Sequence, residues 1–213
     1  MKLRIAGLLA ALTTCGCGSL LESSLPADQA YVLRPPAREG AAPADVPPAT
    51  ASPAGSVLLQ RPRAGPGLDS DRIVLLRSDS RFDFYAASRW AAPAPDMLGS
   101  FIVDGLRAGG AFTAVFDDTS PYAPNYNLRC TLRRFESDYT KGGGAPTVFV
   151  ALDCTLGRHR DRELLASFTA QGSAVARADR LNDVVGAFNA ATTAAVTELE
   201  TQAAAAVANE PRK

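Results

Sequence analysis

Four cysteines and one histidine are the side chains of this 213-residue chain whose placing suggests chemistry. Cys15 and Cys17 close an apolar run at the amino terminus, where a thiol flanked by small residues can accept a lipid. Cys130 and Cys154 sit in two segments of alternating polarity, where two thiols can meet across a hairpin. His159 is followed by Arg160 and Asp161, an echo of the kinase catalytic loop, but the asparagine expected five residues after the aspartate is Ala166. No glycine-rich phosphate loop or Asp-Phe-Gly accompanies it. Gly142-Gly143-Gly144 is not followed by Lys and Ser or Thr, so it is no P-loop. One histidine rules out most histidine-based metal sites and leaves Ser-His-Asp chemistry a single candidate base, in a turn, with no G-x-S-x-G elbow. The chain reads as a non-enzyme without a cofactor, and a carboxylate-only site is the catalytic class the residues leave open.

The elements that would place the first pair of thiols come earliest. Lys2 and Arg4 form a positive start, Ile5 to Leu12 an apolar core, and Thr13 to Ser19 a run of small residues around two cysteines. The apolar run is far short of the roughly 20 residues of a membrane-spanning helix, so it reads as an export signal that is removed. Small residues directly before a cysteine resemble the bacterial lipobox, whose thiol receives a diacylglyceryl group and becomes the first mature residue. Two registers compete. Cys17 has Gly16 at the cleavage point but Thr14 at the usual leucine position, whereas Cys15 has Leu12 there but Thr14 at the cleavage point. Gly16-Cys17-Gly18-Ser19 is the preferred register, giving a signal over 1–16, with Cys15 as the alternative. No aspartate follows Cys17, and the enterobacterial sorting rule this resembles directs such a lipoprotein to the outer membrane, facing the periplasm.

Composition agrees with one anchored domain. Lys plus Arg and Asp plus Glu number 22 each, so no global field attracts nucleic acid. With 46% hydrophobic residues the chain can bury a core. Residues 17–56 read as lipid anchor and tether, because RPPAREGAAPADVPPATASPAG is Pro and Ala with almost no large apolar residue and cannot repay its ordering entropy. Tyr31-Val32-Leu33 is a strand-like island within it, able to dock as an edge strand. The folded domain is expected over 57–208, followed by a disordered tail over 209–213.

Within the domain, Val57 to Gln60 suggests a strand, PRAGPGLDSD a turn, and Arg72 to Arg77 with Arg81 to Tyr85 a hairpin. Pro95 and Asp96 open a helix whose stripe is Met97, Leu98, Phe101, Ile102 and Leu106, and Gly109-Gly110 ends it. Ala111 to Phe116 is a further short strand. Trp90, Phe82 and Tyr85 could line a cleft, although aromatics beside a helix start more often form core. Tyr126 to Tyr139 and Thr147 to Arg158 alternate most clearly. Centring their hairpin on Gly142 sets Cys130 against Cys154 on the apolar face, at the roughly 4.5–5.5 Å a disulfide accepts. Export favours a bridge over two buried thiols. Glu163 to Arg177 adds a strand, and Asp179 is placed to cap a long helix through Leu199, with fraying after Ala203. The order implies an α+β fold, a mostly antiparallel sheet with two main helices packed on one face.

Leu68-Asp69-Ser70-Asp71-Arg72-Ile73, Phe84-Tyr85 followed by Arg89-Trp90-Ala91, and an amphipathic helix ending before Phe112 together resemble the ABC-type transport auxiliary lipoprotein family, including its PqiC-like members. Tyr31-Val32-Leu33 resembles the aromatic-x-Leu segment that such proteins carry soon after the lipidated cysteine. The resemblance spans nearly the whole mature chain, and the long Pro/Ala segment departs from the shorter family version. It implies a non-enzymatic auxiliary component of an MCE-type lipid transport system, docking the periplasmic MCE-domain protein, with its permease and ATPase, at the outer membrane, with a homo-oligomeric ring as a possible form. The other reading is a structural or assembly lipoprotein that binds an outer-membrane protein or the cell wall.

Overall fold

Period-two alternation along 126–138 and 147–158 sends one row of side chains to each face of a sheet, and these segments form its spine. A computed structural model describes residues 28–34, 54–77, 81–142 and 144–210. In chain order they form β1 (Gln29–Tyr31), β2 (Val57–Leu59), β3 (Arg63–Ala64), β4 (Arg72–Leu76), β5 (Phe82–Trp90), α1 (Ala94–Gly109), β6 (Val115–Phe116), β7 (Tyr126–Asp138), β8 (Thr147–Arg158), β9 (Leu164–Val175) and α2 (Leu181–Ala208). The nine strands share one mixed sheet, so the fold is α+β.

The long pairings are antiparallel: β7 with β8, and β8 with β9. The other edge of β7 holds three short strands in tandem, all parallel to it. β2 pairs with residues 126–128, β3 with 131–132 and β4 with 137–138. Strands β2 and β3 are one run along β7 broken by Pro62, which has no N–H to give the ladder. Gln60 N and Gly65 N still donate to the carbonyls of Leu128 and Leu132 at 3.0 and 2.8 Å. β5 pairs antiparallel to β4, and β1 lies parallel to β5 with Tyr31 beside Trp90. The docked island is therefore Gln29–Tyr31 rather than Tyr31 to Leu33. Of the short strands, β2, β4 and β6 fall inside the expected Val57 to Gln60, Arg72 to Arg77 and Ala111 to Phe116, whereas β3 falls in the expected turn, since two residues carry no period.

A bulge at Arg133 divides β7. Beyond it the pairing is Leu132 with Leu152 and Cys130 with Cys154; nearer the turn it is shifted by one, with Phe135 opposite Val150. The shift moves the buried row from Leu128, Cys130 and Leu132 to Phe135 and Ser137. The hairpin is thus centred half a residue beyond Gly142, and the bulge restores the register at the cysteines.

Helix α1 begins after Pro93, with Pro95 in its first turn, and ends at Gly110, whose φ of 69° is the left-handed C-cap. It buries Leu98, Phe101, Ile102, Val103 and Leu106. Helix α2 lies on the buried row of β8 and β9. Gly172 permits this, since a Cβ there would stand 2.1 Å from the Ala191 carbonyl oxygen. The stripe Ala187, Ala191, Ala195 and Ala203 keeps α2 close to the strands. At Gly105 a Cβ would stand 2.5 Å from Val196 Cγ1, so the two helices also approach closely. Two expectations are corrected. The residue capping α2 is Arg180, without a side-chain cap, while Asp179 accepts a hydrogen bond from Tyr139. The helix does not fray after Ala203 but continues to Ala208.

Trp90, Phe135 and Phe188, from β5, β7 and α2, join the two halves of the sheet. Their ring centroids lie 4.9–5.5 Å apart in tilted and edge-to-face contacts. Trp90 and Phe188 are fully buried.

Candidate functional site

Cys15 and Cys17 lie outside the described residues. Cys130 and Cys154 face each other in the β7–β8 ladder with Cα atoms 4.1 Å apart and their sulfurs joined in a disulfide. Both are buried among Leu128, Leu132, Leu152 and Leu156, so the bond is structural by position. Trp90, Phe82 and Tyr85 do not share a cleft. Trp90 is core, Phe82 is 43% exposed, and Tyr85 belongs to a polar chain at the far end of the strands.

That chain is directional. Tyr139 donates its phenol to Asp179 at 2.6 Å, so Tyr85, 2.8 Å away, donates to Tyr139. Ser137 Oγ lies 3.0 Å from the Tyr85 oxygen and donates to the Val74 carbonyl. Partial burial, and then donation to Asp179, push the Tyr139 phenol far above the ordinary tyrosine range. It stays protonated and ties the β7–β8 turn to the start of α2.

At the opposite end of the sheet, Arg158 closes β8 with its side chain on the buried face. It donates to Asp161, Glu163 and Glu210 at 2.8, 2.6 and 2.6 Å. Tyr126 also donates to Glu210, at 2.8 Å. The donation from Tyr126 and then from Arg158 holds the Glu210 carboxyl below its usual range, and the hydrogen bond from Arg158 does the same for Asp161. Glu210, placed by sequence in the tail, fastens the end of α2 to the sheet. His159 stands outside this cluster: Asn127 Nδ2 donates to its Nδ1 at 3.0 Å. Among the described residues no group of His, Cys, Asp and Glu could hold a metal ion.

A cleft of about 380 Å³ lies beside α1. Its apolar floor is Leu59, Pro62, Pro95 and Val103, and its rim is charged. Arg61 reaches Asp96 at 2.5 Å and Asp69 at 3.5 Å, while Arg107 reaches Asp104 at 3.8 Å and donates to the Val115 carbonyl. Asp117 accepts from Thr119 in a turn, which lowers its carboxyl pKa. These groups answer one another within the chain and hold no nucleophile paired to a base. The walls of the cleft come from three distant segments, so sequence reasoning had no means of finding it. On the outer side of β5, Phe82 and Phe84 are exposed, with the Arg72 guanidinium 4.9 Å above the Phe84 ring. No described helix is long and apolar enough to cross a membrane.

Residues 31–200 match the family model described as ABC-type transport auxiliary lipoprotein component. The chain is 27% identical to a Xanthomonas campestris protein of known crystal structure, over 84% of this chain and 94% of that one, with a TM-score of 0.68. A second crystal structure, of an uncharacterized protein, shares the fold at 15% identity, over 71% of this chain and 97% of that one, with a TM-score of 0.56. No curated protein matches the sequence.

Proposed function

The chain belongs to the family of ABC-type transport auxiliary lipoprotein components, and from that premise we propose that it is the outer-membrane-anchored, non-catalytic member of an MCE-type lipid transport system. Lipid on Cys17 holds the domain at the periplasmic face of the outer membrane, where it docks the periplasmic MCE-domain protein that works with an inner-membrane permease and ATPase. The family match over 31–200 carries this reading. The signal ending at Gly16-Cys17 supports the anchor. Two or three acyl chains, at about 0.8 kcal/mol per buried methylene, hold a protein at a bilayer far more firmly than one. Anchoring raises the domain's effective concentration near its partner. The domain's contribution is a rigid scaffold with a cleft and an aromatic pair at its surface.

The test is co-isolation of the lipidated protein from detergent-solubilised envelopes, with a Cys17→Ala chain in parallel. Recovery of an MCE-domain protein with its permease and ATPase, lost in the variant, is the expected result. Recovery of outer-membrane or cell-wall components alone would replace this reading with an assembly lipoprotein.

A further inference from the structure

The Pro/Ala-rich stretch invites the view that it spaces the domain from the membrane, but the fold places a strand ahead of it. β1 lies on the amino-terminal side of residues 35–53 and is bound to the domain at several points. Gln29, Ala30 and Tyr31 pair with Ser88, Arg89 and Trp90. Ala91 N donates to the Tyr31 carbonyl at 2.7 Å, and Arg34 N donates to Asn189 Oδ1 on α2 at 2.8 Å. Tyr31 and Leu33 pack on the core, and the Tyr31 phenol donates to Gln29. After residue 53 the chain is again held, since Ala54 N donates to the Ala111 carbonyl and Thr113 N to the Ala54 carbonyl, at 2.9 and 2.8 Å. Both ends of the 35–53 stretch are therefore fastened to the same folded unit.

We infer that β1 is the point at which the lipid anchor holds the domain, so that the interval from Cys17 to Asp28 alone sets its reach and the interval between Arg34 and Ala54 adds nothing to it. This rests on lipidation at Cys17. The difference is large: eleven residue steps from Cys17 to Asp28 extend at most about 40 Å, against roughly 130 Å for the 37 steps to Ala54. A short leash also limits orientation, biasing the β1 edge, with Tyr31 beside Trp90, toward the bilayer. Material inserted after β1 changes the domain's surface and leaves its height unchanged.

The chain has a single tryptophan, Trp90, in the strand that β1 pairs with, which supplies a built-in donor. Energy transfer from Trp90 to dansyl-headgroup lipid is measured for the full lipidated chain in phosphatidylethanolamine/phosphatidylglycerol vesicles, after flotation shows it bound. Two variants carry the same Gly/Ser insert of about twenty residues, long enough to change a flexible tether's span, one between Ser23 and Ser24 and one between Ala44 and Asp45. The first insert is expected to lower transfer several-fold and the second to leave it at the parent value. Tyr31→Pro, which removes the N–H that β1 turns toward β5 and the ring packed on the core, should lower transfer with no insert and make the second insert effective. Reduced transfer from the second insert in an otherwise unaltered chain overturns the inference, as does unchanged transfer from the first. A parent chain that does not float with vesicles removes the anchor itself, and this inference with it, which separates failure of the anchoring reading from failure of the attachment point.

Discussion

Strands β7, β8 and β9 run 13, 12 and 12 residues, while β1, β2, β3 and β6 run three, three, two and two. The long strands form an antiparallel meander, each paired to its neighbour in sequence and covered by α2. The short ones lie parallel to β7, to β5 or to each other, reached by excursions through loops and α1. The first region is organised locally and is dry on its helix side. The second is assembled on an edge the first provides, and it carries the cleft, the exposed Phe82 and Phe84, and the attached β1. The long regular ladder thus lies in one half and the cleft in the other, with Trp90, Phe135 and Phe188 as the joint.

Removing the joint should have the largest effect. Phe188→Ala empties a fully buried ring site shared by both halves and is expected to cost about 3–5 kcal/mol. Urea unfolding followed by Trp90 fluorescence and by far-ultraviolet circular dichroism should shift together. Separate transitions would show that the two halves are independent units.

The next largest effect lies inside the meander. Replacing Cys130 and Cys154 together by Ala removes a cross-link spanning 24 residues, worth about 2–4 kcal/mol on a chain-entropy estimate. Comparison of oxidised and reduced melts checks it. A loss under about 1 kcal/mol would mean that the ladder, rather than the bond, holds these strands.

Gly172→Ala tests how closely α2 sits on β9. The added Cβ meets backbone atoms of Ala191 and Ala195 at 2.1 and 2.7 Å, so α2 must lift, at about 1–3 kcal/mol or more by the usual cost of overpacking. Gly186, on the same helix, has nothing within 4 Å of an added Cβ, and Gly186→Ala should stabilise by up to about 1 kcal/mol. Equal effects at both positions would remove the close approach from the account.

The smallest effects concern the two ends of the meander and separate by pH. Asp161 and Glu210 have lowered pKa values in the folded chain, so their contribution is present above the ordinary carboxylate range and is lost as pH falls through the folded values. Glu210→Gln should flatten the acid limb of a melting-temperature profile. Tyr139 has a raised pKa, so its contribution is present below the ordinary tyrosine value of about 10 and is lost as pH rises above it. Tyr139→Phe should flatten the alkaline limb and leave the acid limb as it was. An unchanged profile in either variant would detach that end from the stability of the fold.

Alternation of residue type made the long hairpin legible in the sequence, and with it the row containing Cys130 and Cys154. The centring on Gly142 was half a residue short, and the agreement at the cysteines depends on the bulge at Arg133, which no pattern marks. Helix α1 was legible from its stripe and from Gly110. The Pro-rich turn concealed β3, because Pro62 and Pro66 flank it and two residues show no period. Asp179 was misread as a cap because a carboxylate before a helix is a local signal, whereas its partner Tyr139 lies 40 residues away.

The sequence by itself determined the α+β class, the long antiparallel strands and the apolar faces of both helices. All of these are written in neighbouring residues, as periods, caps and turn chemistry. Only the tertiary structure decided which strands run parallel to β7, that Arg158 meets Glu210, that the cleft forms beside α1, and that β1 returns to β5 ahead of the Pro/Ala-rich stretch. Each of those joins residues far apart in the chain, and a pairing of two or three residues is selected by the edge that happens to be open rather than by any pattern the short segment carries.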